Sequence, residues 1–136
     1  MMEEFGFDKM TFITSKNMDE VTHTELKING LIMVDPLGYL DFLNLMANSK
    51  IVLTDSGGMQ EETTFLGIPC ITLRDNTERP VTIEEGTNVL VGSSRERLIE
   101  EGLKALNGNM KKGSVPELWD GRAAERIAEV IIKSSR

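Results

Sequence analysis

Residues 52–73, with the sequence VLTDSGGMQEETTFLGIPCITL, predict a strand, a tight turn, a helix and a second strand. The apolar residues 51–54 are too few for a helix and end at the turn sequence DSGG. The helix is expected over about residues 58–66, where Gly67 suits a left-handed cap. Residues 69–73 have the apolar and β-branched character of a buried strand. Because a helix connects the two strands, they are expected to lie parallel in one sheet.

The same alternation continues on both sides of this stretch. Residues 31–34 and 88–91 are predicted strands, and residues 10–14 are a weaker candidate. Further helices are predicted: one opened by Pro36, a short one opened by Pro80, one carrying Leu98, Leu103 and Leu106, and a last one over residues 122–132. The expected fold class is α/β, with a Rossmann-like three-layer parallel sheet formed by residues 30–136. Residues 1–29 show little readable pattern.

The composition limits the classes of function. A chain of 136 residues has room for one ordinary domain. Its formal net charge of −7 argues against binding to nucleic acid or to an anionic membrane. No apolar run approaches the roughly 20 residues that span a bilayer. The acidic start MMEEFGFDKM lacks a secretion signal, so a cytoplasmic setting is expected, and the single cysteine, Cys70, is expected to be buried and inert.

The turn sequence DSGG predicts an anion site. A helix that starts directly after a buried strand leaves its first backbone N–H groups unpaired. Gly57 and Gly58 would let a phosphate approach that backbone, the helix dipole favours negative charge, and the Ser56 hydroxyl adds a donor. An ordinary helix cap, in which Asp55 or Ser56 accepts from the first-turn amides, explains the same residues. The sequence leaves both interpretations open.

Two charged residues near this turn are candidates for further ligand contacts. Glu62 lies one turn above Gly58 on the same helical face, and a carboxylate can accept from two neighbouring ribose hydroxyls. Arg79 follows a strand at its carboxyl end, the edge where ligands bind in open α/β sheets, so it can face a diphosphate. The alternative for both is a solvated surface side chain, which is the interpretation we prefer for Glu61.

Four blocks of the sequence together resemble a known family. They are DPLGYLDFLNLM, VLTDSGGMQEETTFLGIPCITLRDNTERP, EEGTNVLVG and DGRAAERI, and they look like successive motifs of the non-hydrolysing UDP-N-acetylglucosamine 2-epimerases. The resemblance covers about residues 30–136. It implies the C-terminal half of a GT-B-type enzyme, in which two Rossmann-like domains close on the UDP-sugar and the C-terminal one makes most nucleotide contacts.

The resemblance also assigns roles to residues. The positions that match nucleotide-contacting motif residues of the family are Ser56, Gly57, Gly58, Glu62, Arg79 and Phe42. The turn residues would hold the diphosphate and Glu62 the ribose hydroxyls, with Arg79 near the nucleotide. Phe42 would lie near the uracil, although its helical spacing alone is typical of a core residue. The family needs no metal, and no cofactor is expected.

The family interconverts UDP-N-acetylglucosamine and UDP-N-acetylmannosamine by eliminating UDP and adding it back with inversion at carbon 2. Its proton-transfer groups belong to an N-terminal domain with no counterpart in this sequence, and the histidine of its HRxEN motif is also missing. We therefore expect the chain to bind UDP or a UDP-N-acetylhexosamine and to lack activity alone. The alternatives are a non-catalytic UDP-sugar-binding or regulatory module with a separate partner domain, and half of a glycosyltransferase, which the TERP motif disfavours.

An assembly is also expected. In the common doubly wound order 3-2-1-4-5-6 the first two strands are central. If the family domain has this order, residues 31–34 would be its third strand, separated from residues 51–54 by a gap two strands wide. Such a gap exposes unpaired backbone groups, so either residues 31–34 close up directly, with residues 10–14 inserted, or a second chain fills the space. A homodimer is the favoured outcome, and a partner N-terminal domain is the other.

Overall fold

The computed structural model describes residues 10–13 and 31–135. The helices and strands, in chain order, are β1 (Met10–Ile13), β2 (Leu31–Val34), α1 (Tyr39–Ala47), β3 (Val52–Thr54), α2 (Gly57–Leu66), β4 (Cys70–Thr72), α3 (Pro80–Glu84), β5 (Asn88–Leu90), α4 (Arg95–Leu106) and α5 (Ala123–Ser134). Residues 1–9 and 14–30, which make up most of the segment with little readable pattern, lie outside the described residues.

Strands β3, β4 and β5 form a parallel sheet in that order. In its middle, Leu53 lies beside Ile71 and Ile71 lies beside Val89. The connection from β3 to β4 contains α2, and the connection from β4 to β5 contains α3. Parallel neighbours need such crossovers, because a two-residue hairpin can join only antiparallel strands. The predicted α/β class with a parallel sheet is confirmed.

Helices cover both faces of this sheet. Successive side chains of a strand point to opposite faces. Ile71 in β4 belongs to the apolar cluster that includes Leu98 of α4. Its neighbour Thr72 bonds to Asn88 within a buried polar group that includes Gln60 of α2. The arrangement is therefore three-layered, with α4 on one face of the sheet and α2 on the other.

The apolar core is centred on three buried residues, Ile71, Val91 and Leu98. Partly buried apolar residues packed against it are Ile51, Leu53, Val89 and Met110. Cys70 is fully buried on the other face of β4, as predicted, and burial raises the pKa of its thiol. A buried thiol that stays protonated is a poor nucleophile, so Cys70 contributes packing.

A layer of buried polar side chains lies between the sheet and the helices α2 and α3. Its members are Thr54, Gln60, Thr63, Thr64, Thr72, Thr82 and Asn88. Buried polar groups are costly unless they are hydrogen-bonded, and most of these side chains bond to one another or to nearby backbone. This layer ties α2 and α3 to the sheet by directional bonds.

Strands β1 and β2 pair in parallel as a separate two-stranded sheet. Met10 lies beside Leu31 and Ile13 beside Val34, which confirms the predicted strand at residues 31–34 and, for residues 10–13, the weaker candidate. Within the described residues, no strand pairing joins β2 to β3. The expected break in the sheet is therefore present, and the described part of the N-terminal segment does not close it.

The start of α1 differs from the prediction. The helix begins at Tyr39 rather than after Pro36, and Gly38 precedes it with an extended backbone at φ −60° and ψ 151°. The fixed φ of proline suits an extended segment as well as a first helical turn, so Pro36 alone did not define the start. By contrast, α2 ends at Gly67 in the left-handed conformation, with φ 71°, and α3 begins at Pro80, both as predicted.

Helix α5 is the least buried helix of the described chain. None of its residues is buried, and Ile127, Val130 and Ile131, predicted to share one face, are all exposed. No helix in residues 10–13 and 31–135, including α5, is both long and apolar enough to span a membrane.

Candidate functional site

The turn after β3 places the start of a helix at the carboxyl edge of the sheet. β3 ends at Thr54 and α2 begins at Gly57, with only Asp55 and Ser56 between them. The Ser56 N–H donates to Thr54 Oγ1 at 3.0 Å, and the Thr54 hydroxyl lies 3.1 Å from Met59 Sδ. Because Thr54 is buried, its hydroxyl holds the turn from the inside.

The side chain of Ser56, the residue before α2, does not cap the helix. The backbone of Ser56 is extended, at φ −85° and ψ 129°, but its hydroxyl makes no hydrogen bond to the amides of the first turn. The ordinary cap by Ser56 that the sequence left open is therefore not formed in the described structure. The first N–H groups of α2 have no intrahelical acceptor, so they remain available to an external one.

The two glycines leave space beside these amides. A Cβ atom built on Gly58 would have no atom of the described chain within 4 Å other than its chain neighbours and the nearby backbone of its own helix, and Gly58 is exposed. A Cβ atom on Gly57 would lie 3.7 Å from Glu78 Oε2. A side chain at residue 58 would thus occupy space that the protein itself does not use.

Glu62 faces α1. The Tyr39 hydroxyl donates to Glu62 Oε1 at 3.3 Å, and the negative charge of Glu62 raises the pKa of Tyr39. Phe42 follows Tyr39 by three residues in α1 and therefore lies near the same helical face. Its side chain is half-buried, which leaves part of it accessible next to the Tyr39–Glu62 contact.

Arg79 is held against α2. Its Nε atom lies 3.0 Å from Glu61 Oε1, and both side chains are partly exposed, at 45% and 40%. Glu61, for which we preferred a solvated role, is thus half of an ion pair. Exposed ion pairs contribute little to stability, so the Arg79 guanidinium can exchange Glu61 for another anion at low cost.

A second ion pair lies at the turn itself. Arg74 Nη1 is 3.3 Å from Glu78 Oε2, the carboxylate oxygen next to Gly57. A hydrogen bond from its own backbone N–H, and then the charge of Arg74, hold the pKa of the Glu78 carboxyl below its usual range. In this state each arginine near the turn is balanced by a carboxylate, so a bound anion must compete with Glu61 and Glu78.

The structure brings the predicted site residues to one end of α2. The start of α2 is formed by Ser56, Gly57 and Gly58. Glu62 lies on the second turn of α2, and Arg79 forms an ion pair with the adjacent Glu61. Phe42 lies on α1, three residues after Tyr39, whose hydroxyl contacts Glu62. The prediction that these residues contact a nucleotide remains a prediction.

Three side chains of this region were missed by sequence reasoning: Tyr39, Gln60 and Glu78. Tyr39 belongs to the motif GYLDF, but its contact with Glu62 spans 23 residues and no spacing rule predicts it. Gln60 precedes Glu61 and Glu62 in the sequence, yet it is fully buried. Glu78 lies in the TERP motif, which could have indicated it as a further charged group at the site.

Known proteins are similar to this chain in sequence. The family profile described as UDP-N-acetylglucosamine 2-epimerase matches residues 8–132. The UDP-N-acetylglucosamine 2-epimerase of Methanocaldococcus jannaschii is 45% identical over 120 residues, which cover 87% of this chain and 32% of that protein.

Solved structures agree with the sequence comparison. The M. jannaschii UDP-GlcNAc 2-epimerase in complex with UDP-GlcNAc and UDP superimposes with a TM-score of 0.67 at 43% identity, covering 83% of this chain and 30% of that one. The S. aureus MnaA–UDP co-structure superimposes with a TM-score of 0.81 at 30% identity, covering 98% of this chain and 38% of that one.

The matches agree on the extent of the similarity. The chain spans about a third of the length of the relatives it matches. The profile match begins at residue 8, earlier than the predicted domain start at residue 30, and covers most of the chain. By its sequence and its fold, the chain belongs to the UDP-N-acetylglucosamine 2-epimerase family.

Proposed function

We propose that this chain supplies the UDP-binding part of a UDP-N-acetylglucosamine 2-epimerase, the enzyme that interconverts UDP-N-acetylglucosamine and UDP-N-acetylmannosamine. The observation that carries the proposal is the start of α2, which Ser56 does not cap and which is open at Gly58. The structure of the M. jannaschii relative in complex with UDP-GlcNAc and UDP supports the choice of ligand.

The diphosphate would bind at the first amides of α2. Backbone N–H groups and the helix dipole both favour an anion there, and the glycines allow it to approach closely. Arg79 would leave Glu61 and pair with the diphosphate, because an arginine binds phosphate oxygens through charge-assisted hydrogen bonds. A net charge of −7 gives no long-range attraction, so these local groups would supply most of the binding energy.

The nucleoside would lie along α2 and α1. Glu62 would accept from the ribose hydroxyls, and Phe42 would lie near the uracil. Tyr39 competes for the Glu62 carboxylate in the absence of nucleotide. Because that hydroxyl can rotate away, its bond to Glu62 is easily replaced by a ribose hydroxyl.

The chemistry would need groups from elsewhere in the enzyme. Elimination of UDP removes the proton at carbon 2 and breaks the bond from carbon 1 to the β-phosphate oxygen, so negative charge collects on the diphosphate. The amides of α2 are suited to stabilise that charge. The proton transfers themselves would require the acid and base groups of a second domain.

The remaining expectations from the sequence stay proposals. We propose residues 30–136 as the UDP-binding domain, and the family match from residue 8 supports a structural role for the preceding residues as well. The cytoplasmic setting remains a prediction.

Replacing Gly58 by valine tests the diphosphate site. The variant Gly58→Val should weaken UDP binding by about tenfold or more, because its side chain fills the open space beside the amides. Calorimetric titration measures the affinity, and UMP should bind more weakly than UDP to the parent chain. Ala124→Val is the matched control, since residue 124 is the second residue of α5 as residue 58 is of α2. Equal affinities of the parent and Gly58→Val would contradict the site.

Removing the Glu62 carboxylate tests the ribose contact. Glu62→Ala should weaken UDP binding by about threefold to tenfold, the contribution of one or two hydrogen bonds. The loss should be smaller for 2′-deoxy-UDP, which lacks one of the two hydroxyls. Glu100→Ala, which removes a carboxylate from the sixth position of α4 as Glu62→Ala does from α2, should leave both affinities unchanged. An equal loss for the two nucleotides would mean that Glu62 does not bind the ribose.

The break between the two sheets supports a proposal about assembly. β3 is an edge strand of its sheet, and β1 and β2 form a separate pair. Exposed strand edges carry unpaired backbone groups that favour pairing with another chain. We propose that the isolated chain forms a homodimer through these edges, and that in the enzyme the same edges contact a partner domain.

Light scattering coupled to size exclusion measures the assembly. The isolated chain should elute with about twice its mass of 15.2 kDa at high micromolar concentration and dissociate on dilution. A monodisperse species of 15.2 kDa at that concentration would sink the dimer proposal and indicate that the edges are covered within one chain.

A further inference from the structure

A closed ring of hydrogen bonds runs beneath the candidate site. It begins at Gln60, which lies on α2 and is fully buried. Gln60 Oε1 accepts from the Thr77 hydroxyl at 2.6 Å and from Asn88 Nδ2 at 3.1 Å. One amide oxygen thus joins the loop after β4 to the first residue of β5.

The ring continues through the backbone of Arg79. The Arg79 N–H donates to Thr77 Oγ1 at 3.0 Å, and the Arg79 carbonyl accepts from the Thr82 hydroxyl at 2.7 Å. Thr82 Oγ1 in turn accepts from Asn88 Nδ2 at 3.3 Å, which closes the ring. Both polar groups of the Arg79 backbone are therefore held from the interior.

Each hydrogen bond of the ring has a defined donor and acceptor. The Thr77 and Thr82 hydroxyls each donate once and accept once, and the two N–H groups of the Asn88 amide go to Gln60 and Thr82. Asn88 Oδ1 accepts from the Thr72 hydroxyl at 2.7 Å, so the asparagine amide is also fixed from the sheet side. No other described acceptor holds the Thr77 hydroxyl, so its position depends on Gln60 Oε1.

Packing alone does not explain a glutamine at residue 60. Its amide nitrogen is buried and has no hydrogen-bond partner among the described residues. An unpaired buried donor is destabilising, and an apolar side chain of similar length would remove it. What glutamine adds, and methionine would lack, is the oxygen that binds Thr77 and Asn88.

We propose that Gln60 is a positioning residue for the nucleotide: through Thr77 it fixes the backbone of Arg79 beside the start of α2. This inference rests on the proposed binding of UDP. The side chain of Arg79 is long and 45% exposed, and its exposed ion pair with Glu61 cannot by itself hold it in one place. The ring, which is buried at Gln60, Thr82 and Asn88, supplies that constraint from the backbone side.

The test measures UDP affinity by calorimetry in a set of full-length variants. Gln60→Met and Thr77→Val should each weaken UDP binding by about tenfold, the lower end of what a hydrogen bond to a charged group contributes. Thr77→Ser, which keeps the hydroxyl, should restore the parent affinity. Thr72→Val, which cuts the bond on the sheet side of Asn88, should lower thermal stability but leave UDP affinity unchanged.

A second measurement separates positioning from a general structural effect. In an Arg79→Ala background, Gln60→Met and Thr77→Val should cause no further loss of UDP affinity, because the group that they position is gone. The inference is overturned if folded Gln60→Met binds UDP as tightly as the parent chain does. It is also overturned if Gln60→Met weakens UDP binding by the same factor in the Arg79→Ala background as in the parent chain. If Gln60→Met does not fold, the same question is decided by comparing Thr77→Val with Thr77→Ser, and by repeating Thr77→Val in the Arg79→Ala background.

The outcome for the parent chain keeps the two proposals distinct. A parent chain that binds no UDP contradicts the proposed function, and this inference falls with it. A parent chain that binds UDP, together with unaffected Gln60 and Thr77 variants, contradicts only the role of Gln60.

Discussion

The hydroxyl of Thr54 lies at the junction on which the site depends, where a buried strand becomes a helix within two residues. It accepts from the Ser56 N–H and contacts Met59, so the chain turns at once into α2. Because β3 runs parallel to its neighbours, the turn falls at the carboxyl edge of the sheet, and the amides of α2 begin there. The position of the uncapped helix start at the sheet edge thus follows from the parallel pairing and the short turn together.

The arginines near the start of α2 form ion pairs with neighbouring carboxylates. The chain is acidic overall, yet Arg79 pairs with Glu61 of α2, and Arg74 pairs with Glu78, whose carboxylate lies near Gly57. The pairs of Arg74 with Glu78 and of Arg79 with Glu61 balance both arginines when no anion is bound. In the proposed complex a diphosphate would exchange partners with these carboxylates, since exposed ion pairs are weak.

Much of the fold and part of the site could be predicted from sequence because the signals were local. The turn DSGG, the cap at Gly67 and the start of α3 at Pro80 each depend on residues next to one another in the chain. Pro36 misled the prediction of α1, because proline suits both extended and helical segments. The burial of Gln60 and the contact of Tyr39 with Glu62 depend on residues distant in sequence, so neither periodicity nor motif spacing could indicate them.

We propose that this chain binds the nucleotide but does not itself carry out the proton transfers. Phosphorus NMR of UDP-N-acetylglucosamine titrated with the purified chain tests both parts in one measurement. We expect the diphosphate resonances to shift as the chain is added, while the sugar nucleotide stays unchanged over hours. Resonances that do not move at a large excess of the chain, or the appearance of UDP or UDP-N-acetylmannosamine, would contradict this account.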